Sequence, residues 1–135
     1  MRPETAPVSG KVTGMRIKDA VGRFGEDVAV GVVEQAGMQL LERNWRCRDG
    51  ELDIVARDGD ALVFVEVKTR SSVACGVPAA AVDRRKVARL RRLAVRWMAE
   101  HRDLERFWRT VRFDVVAVVR RPSGQPDVQH LRAAF

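Results

Sequence analysis

Residues 50–70 read GELDIVARDGDALVFVEVKTR, and this segment is the clearest predictor of the fold. Two runs of β-forming residues flank Asp58-Gly59, a dipeptide that favours a two-residue hairpin turn. In that turn Arg57 lies opposite Asp60, and because strand side chains alternate, one face of the hairpin becomes wholly apolar. We expect this face to pack under a helix; it comprises Leu52, Ile54, Ala56, Ala61, Val63, Val65 and Val67.

The second face of the predicted hairpin carries charge only at its open end. Val55, Leu62 and Phe64 lie near the turn, whereas Glu51, Asp53, Glu66 and Lys68 lie at the other end. With Arg57 opposite Asp60, Glu51 lies opposite Glu66. A shifted register would place Asp53 opposite Glu66 instead, and in both registers the four charges share one face.

These clustered carboxylates require a compensating positive charge. Like charges across a strand pair are destabilising, and Lys68 alone cannot neutralise two or three carboxylates. A divalent cation would do so, and oxygen ligands of this type suit Mg²⁺ or Mn²⁺. Carboxylates combined with one lysine are suited to metal-dependent phosphodiester hydrolysis. The alternative is a solvated sheet face with cross-strand ion pairs.

The rest of the chain predicts an α/β fold with helices packed on a mixed sheet. The expected order is α-β-β-β-α-β, with a candidate final β strand. Its elements are a helix over 19–36 ended by Gly37, a strand over 38–45, the hairpin, a loop over 69–78, a helix from 79 or 82 to 101, a strand over 111–119 and an edge strand within 127–135.

Each predicted helix has an apolar stripe at helical spacing. In the first helix the stripe consists of Val21, Phe24, Val28, Val32 and Ala36. In the second it consists of Val87, Leu90, Leu93, Ala94 and Trp97. Both stripes predict the helix faces that contact the sheet.

Composition favours a cytoplasmic protein with a polyanionic partner. The 135 residues carry a formal net charge of +7, mostly through arginine, which suits phosphate recognition and makes nucleic acid the first expectation. Two cysteines without a CxxC motif argue against a disulfide framework or zinc site, and no apolar run is long enough to span a membrane. We expect a flexible tail over 1–16 and a single domain over 17–135.

The motif formed by Asp53 and by Glu66-Val67-Lys68 resembles that of the PD-(D/E)xK nuclease superfamily. Further stretches resemble the YraN-type family of bacterial proteins, related to archaeal Holliday-junction resolvases: GRFGEDVAV, LLERNWRCRDGELDIVARDG, LVFVEVKTR, RFDVVAV and HLRAAF. This resemblance implies a restriction-endonuclease-like fold and nucleic-acid binding. Because related resolvases act as dimers, it also implies a homodimer.

The resemblance assigns roles to individual residues. Asp53 and Glu66 correspond to the metal-binding acids, Lys68 to the catalytic lysine, and Glu26 to the additional helix glutamate of resolvase-like members. Leu52 replaces the proline of the superfamily motif. Two further acids are accessory candidates. Glu51 has the face parity of Asp53, and Asp114 lies in an apolar strand where a hydrogen-bonded structural role is equally open.

The second helix carries a basic stripe of Arg85, Arg89, Arg92 and Arg96 at helical spacing. Their mutual repulsion would be relieved by a polyanion, although a merely solvated helix face is the alternative. Thr69 and Arg70 follow Lys68 directly and are placed to contact a phosphate.

Three functions are consistent with these features. The first is a metal-dependent endonuclease acting on DNA, including branched or structured DNA. The second is a non-catalytic nucleic-acid-binding or adaptor module that keeps the nuclease fold. The third is a structural protein whose acidic cluster is ion-paired.

Overall fold

A computed structural model describes residues 17–70 and 83–135, which form a five-stranded mixed sheet with helices on its two faces. Spatial strand order follows the sequence, and only β3 and β4 are parallel. A parallel pair requires a crossover, which α2 supplies. The elements are α1 (Ile17–Gln35), β1 (Gln39–Cys47), β2 (Gly50–Asp58), β3 (Ala61–Arg70), α2 (Arg84–Glu100), a 3-10 helix (Arg102–Phe107), β4 (Thr110–Val119) and β5 (Asp127–Leu131).

This architecture confirms the predicted α/β fold, a mixed sheet flanked by helices with a final edge strand, and it is compatible with a restriction-endonuclease-like fold. The 3-10 helix was not predicted, and β1 runs to Cys47 rather than ending at residue 45. The predicted tail over 1–16, most of the loop over 69–78 and the segment 79–82 lie outside the described residues. Among the described residues, no helix is long and apolar enough to cross a membrane.

Helix α1 packs on one face of the sheet, rotated by one residue from the predicted stripe. Ala29 and Val33 are fully buried, whereas Ala36 is exposed. Small side chains at Gly25 and Ala29 let the helix approach the strands closely, so larger residues such as Phe24 flank the contact line. The helix ends before Gly37, whose φ of +91° favours glycine.

Helix α2 packs on the opposite face as its stripe predicts. Leu90, Leu93, Ala94 and Trp97 are buried there. Trp97 packs edge-on against Phe64, with ring centroids 5.9 Å apart. Its indole Nε1 donates a 2.9 Å hydrogen bond to Glu42, so the polar end of this core residue is satisfied.

The β2–β3 hairpin adopts the alternative register. Asp58 pairs with Ala61, and Ile54 pairs with Val65, so the two loop residues are Gly59 and Asp60. The expectation that Arg57 lies opposite Asp60 is therefore wrong. The first loop residue needs a positive φ in a type II′ hairpin, and Gly59 at +63° supplies it.

The hairpin faces do not alternate regularly along β2. Ile54 packs in the core beneath α1, yet Leu52, two residues earlier, packs in the core beneath α2. The β1 partner of Leu52, Trp45, also packs under α2. Asn44, which lies on β1 between Trp45 and the partner of Ile54, has a φ of +55°. We call this change of side at Asn44 and Asp53 the face inversion. It makes the predicted wholly apolar face wrong at Leu52.

Candidate active site

Three carboxylates converge at the open end of the hairpin. One oxygen from each of Glu26, Glu51 and Asp53 lies within 4.8 Å of the others, and all three side chains are partly buried. We call this group the acidic cluster. Glu26 comes from α1, and the other two come from β2. The face inversion turns Glu51 toward the α1 side, because Leu52 beside it points into the α2 core.

Close packing of α1 against β3 brings Glu26 to this position. Gly25 is buried against Thr69, and a Cβ atom built on Gly25 would lie only 1.8 Å from the Thr69 hydroxyl oxygen. Only glycine permits this contact without a shift of the helix or strand. Thr69, a predicted nucleic-acid contact, therefore packs directly against the backbone of α1 at Gly25.

Asp53 lies where the regular β2–β3 pairing ends. Its Oδ2 accepts a 2.8 Å hydrogen bond from the backbone N–H of Val67. Burial and the nearby negative charge of Glu66 raise the pKa of Asp53 from 3.8 to about 7, with smaller contributions from Glu26 and Glu51 and opposition from the Val67 N–H. The Asp53 carboxylate is thus energetically costly unless a positive charge is added.

Neighbouring polar and positively charged side chains partly offset the negative charges of the other two members of the acidic cluster. Burial raises the pKa of Glu26, while the Asn44 amide and the Arg43 guanidinium act in the opposite direction. Glu51 pairs with Arg46 at 2.9 Å, but Arg46 is largely exposed and a surface pair of this kind contributes little. Three oxygen donors in a group short of positive charge fit a small, hard divalent cation such as Mg²⁺ or Mn²⁺.

Glu66 and Lys68 lie beside the acidic cluster, in a separate ion-pair group. Only 7% of Glu66 is exposed, and its Oε2 lies 2.7 Å from Nζ of Lys86 and 4.0 Å from Nζ of Lys68. Burial and the charge of Lys86 lower the pKa of Lys68, opposed by Glu66. The prediction that all hairpin charges share one face is wrong, because the face inversion separates them.

Sequence reasoning missed Lys86. It lies in the first turn of α2, 18 residues after Lys68, and directly follows Arg84 and Arg85 in a run of basic residues. Its positive charge is the only local signal. Its proximity to Glu66 follows from how α2 crosses the sheet, which a single sequence does not encode locally.

The structure does not bring Asp114 into the acidic cluster. This fully buried carboxylate accepts hydrogen bonds from Arg112 at 2.8 Å, from the Ala133 N–H at 3.0 Å, and lies 2.8 Å from His130 Nε2. Burial raises the pKa of Asp114, but the Arg112, His130 and Ala133 contacts together lower it below 3.8. Asp114 therefore anchors β4 to β5 and the residues after it.

The predicted basic stripe is exposed along α2. Arg85, Arg89 and Arg92 pair with no carboxylate of the described residues, whereas Arg96 lies 3.3 Å from Asp49 and 3.5 Å from Glu100. Arg70, at the end of β3, has a buried Nε without a hydrogen-bond partner among the described atoms. Within residues 17–70 and 83–135, three of the four stripe charges are thus available to an anionic ligand.

Comparison with known proteins identifies the family. The model of uncharacterised protein family UPF0102 matches residues 25–118, a range that contains the whole acidic cluster. A UPF0102 protein of Beutenbergia cavernae is 61% identical over 118 residues, covering 87% of this chain and 98% of the relative. A UPF0102 protein of Frankia casuarinae is 55% identical over 121 residues, covering 90% and 100%. The resemblance to the YraN-type family is thereby confirmed, and the chain belongs to the UPF0102 family.

Proposed function

We propose that this protein is a metal-dependent endonuclease that hydrolyses phosphodiester bonds in DNA, including branched or structured DNA. The observation that carries this proposal is the acidic cluster next to a lysine of lowered pKa. Such a combination supplies both ligands for a divalent cation and a cation for the reacting phosphate. The exposed arginines of α2 supply the attraction for the nucleic-acid backbone.

In this proposal Glu26, Glu51 and Asp53 hold Mg²⁺ or Mn²⁺. When bound, the ion would polarise a phosphoryl oxygen and lower the pKa of a water molecule. Binding would also remove the mutual repulsion of the carboxylates, so Asp53 would be held ionised at neutral pH. Glu66 lies close enough to Asp53 to act on its pKa, and it completes the acid set in the role that the resemblance implies.

In this proposal Lys68 acts on the substrate. Its ammonium donates hydrogen bonds to phosphate oxygens and stabilises the negative charge that develops there. Arg70, which follows two residues later on the same strand, contributes a planar donor for a neighbouring phosphate. Arg85, Arg89 and Arg92 bind the backbone further away, which gives affinity without sequence preference.

The test is a cleavage assay on linear, nicked, flapped and four-way DNA, with and without Mn²⁺. Wild-type protein should cleave at least one substrate only when Mn²⁺ is present. Asp53→Asn and Lys68→Met should abolish cleavage while circular dichroism shows a retained fold. Glu34→Gln is the control, because it removes an exposed carboxylate of α1 outside the acidic cluster. Wild-type rates in Asp53→Asn would refute the proposal.

A second candidate function is a non-catalytic nucleic-acid-binding module. The Glu66–Lys86 pair favours it, since the ammonium group of Lys86 neutralises one acid of the site without a metal ion. In that case salt-sensitive DNA binding should persist in Asp53→Asn, and calorimetry should detect no Mn²⁺ binding to the wild type. Cleavage that depends on Mn²⁺ and on Asp53 would exclude this candidate.

A further inference from the structure

Lys86 makes the closest charge contact of the site. Its Nζ lies 2.7 Å from Glu66 Oε2, compared with 4.0 Å for Lys68. The Glu66 side chain is 8% exposed and that of Lys86 is 28% exposed, so water screens the pair only in part. Lys86 is therefore the main counter-ion of Glu66.

The site contains two kinds of charge imbalance side by side. Glu66 has two lysines for one carboxylate, whereas the neighbouring acidic cluster has three carboxylates against the exposed Arg46 and against Arg43, which also pairs with Asp27. A divalent cation entering the acidic cluster would add positive charge next to the two lysines. One ammonium group then becomes surplus, and the more exposed of the two is on Lys86.

Lys86 can leave Glu66 without a change in the backbone. Its own N–H donates a 2.9 Å hydrogen bond to Asp83, the residue that caps the N-terminus of α2. This cap fixes the first helical turn. The lysine side chain, in contrast, has four rotatable bonds and already reaches solvent, so its ammonium group can move outward alone.

We propose that Lys86 is a positioning residue which serves as the exchangeable counter-ion of Glu66, holding this carboxylate until a divalent cation binds and releases it. The inference rests on the cation site of the proposed function. Lys86 competes with the divalent cation for the carboxylate of Glu66. The ion pair keeps the buried carboxylate in place between rounds of cation binding.

The test measures Mn²⁺ binding by titration calorimetry, without DNA. Lys86→Met removes the competing ammonium group, so Mn²⁺ should bind about tenfold more tightly, the ratio expected for one charge-assisted hydrogen bond. Lys86→Arg keeps the competitor and should bind Mn²⁺ like the wild type. Arg84→Met removes an exposed charge from the same helical turn and corrects for general electrostatic effects.

A second pair of variants shows whether Lys86 acts through Glu66. In the Glu66→Gln background, Lys86→Met should no longer tighten Mn²⁺ binding, because the exchanged carboxylate is absent. Lys86→Gln provides the same comparison should the methionine variant fold poorly. In each variant the rise in melting temperature on adding Mn²⁺ should follow the calorimetric affinity.

The outcomes separate this inference from the proposed function. If wild type and Lys86→Met bind Mn²⁺ equally, or Lys86→Met binds more weakly, Lys86 is a fixed structural partner and the inference is overturned, while the cation site stands. Equal tightening by Arg84→Met also overturns it. If neither wild type nor any variant binds Mn²⁺, the cation site of the proposed function fails, and the inference fails with it.

Discussion

Asp53→Asn should change how stability depends on pH in the absence of divalent cations. Asparagine keeps an acceptor for the Val67 N–H but cannot ionise. In the wild type the pKa of Asp53 is raised from 3.8 in the unfolded chain to about 7 in the fold. A carboxyl with a raised pKa binds its proton more tightly when folded. Its stabilising contribution is therefore complete below pH 4 and is lost as the pH rises through 7.

The size of the effect follows from the same two values. One pKa unit corresponds to about 1.4 kcal/mol, so the move from 3.8 to about 7 corresponds to about 4 kcal/mol. Because Glu66 and the other cluster acids share this repulsion, that figure is an upper limit for Asp53 alone. We expect the wild type to lose about 2–4 kcal/mol relative to Asp53→Asn between pH 4 and pH 8.

Urea unfolding at a series of pH values, in buffer containing EDTA, measures this difference. Asp53→Asn should become the more stable protein above pH 7, and saturating Mn²⁺ should restore stability to the wild type only. Glu34→Gln, which alters an exposed carboxyl, should follow the wild-type curve at every pH. Parallel curves for wild type and Asp53→Asn would refute the account of Asp53 as a buried, repelled carboxyl.

Three further substitutions test packing, anchoring and binding. Gly25→Ala should destabilise the fold by about 1–3 kcal/mol through overpacking, whereas Gly22→Ala, with open space around it on the same helix, should be neutral or stabilising in the same urea unfolding assay. Asp114→Ala should cost about 3–5 kcal/mol because the partly buried Arg112 guanidinium, the His130 ring and the Ala133 N–H lose their shared acceptor, and a loss below about 1 kcal/mol would contradict its anchoring role. Arg89→Gln and Arg92→Gln should each reduce the slope of log DNA affinity against log salt concentration by about one unit, as measured by fluorescence anisotropy. An unchanged slope would show that DNA does not contact this arginine stripe.

Local sequence signals predict the elements of this fold well. Alternating and helical patterns give every strand and both long helices, because each element buries one face against a neighbour. The α1 stripe is off by one residue for a physical reason. A hydrophobic stripe is identified mainly from its large side chains, whereas the small residues Gly25 and Ala29 are the ones buried against the sheet. Small residues lie along that contact line because they let the helix backbone approach the sheet closely.

The acidic cluster depends on details that strand periodicity does not contain. Periodicity places Glu51 and Asp53 with Glu66, but the face inversion moves Glu51 toward Glu26 on α1. The only local sign of the inversion is Asn44, a residue type that tolerates positive φ. Lys86 contacts Glu66 from α2, and only the packing of α2 on the sheet brings the two residues together.

The anchoring of Asp114 also has a consequence for synthesis of the chain. β4 is an interior strand, yet two of the groups that contact its buried Asp114 carboxylate, His130 and the Ala133 N–H, follow Asp114 by 16 and 19 residues in the sequence. During translation these groups emerge from the ribosome after β4, so until then the Asp114 carboxylate lacks two of its partners and keeps its Arg112 contacts. The edge strand β5 is thus needed for a stable fold. A chain stopped before residue 127 should fail to complete its sheet and become a substrate for proteolysis.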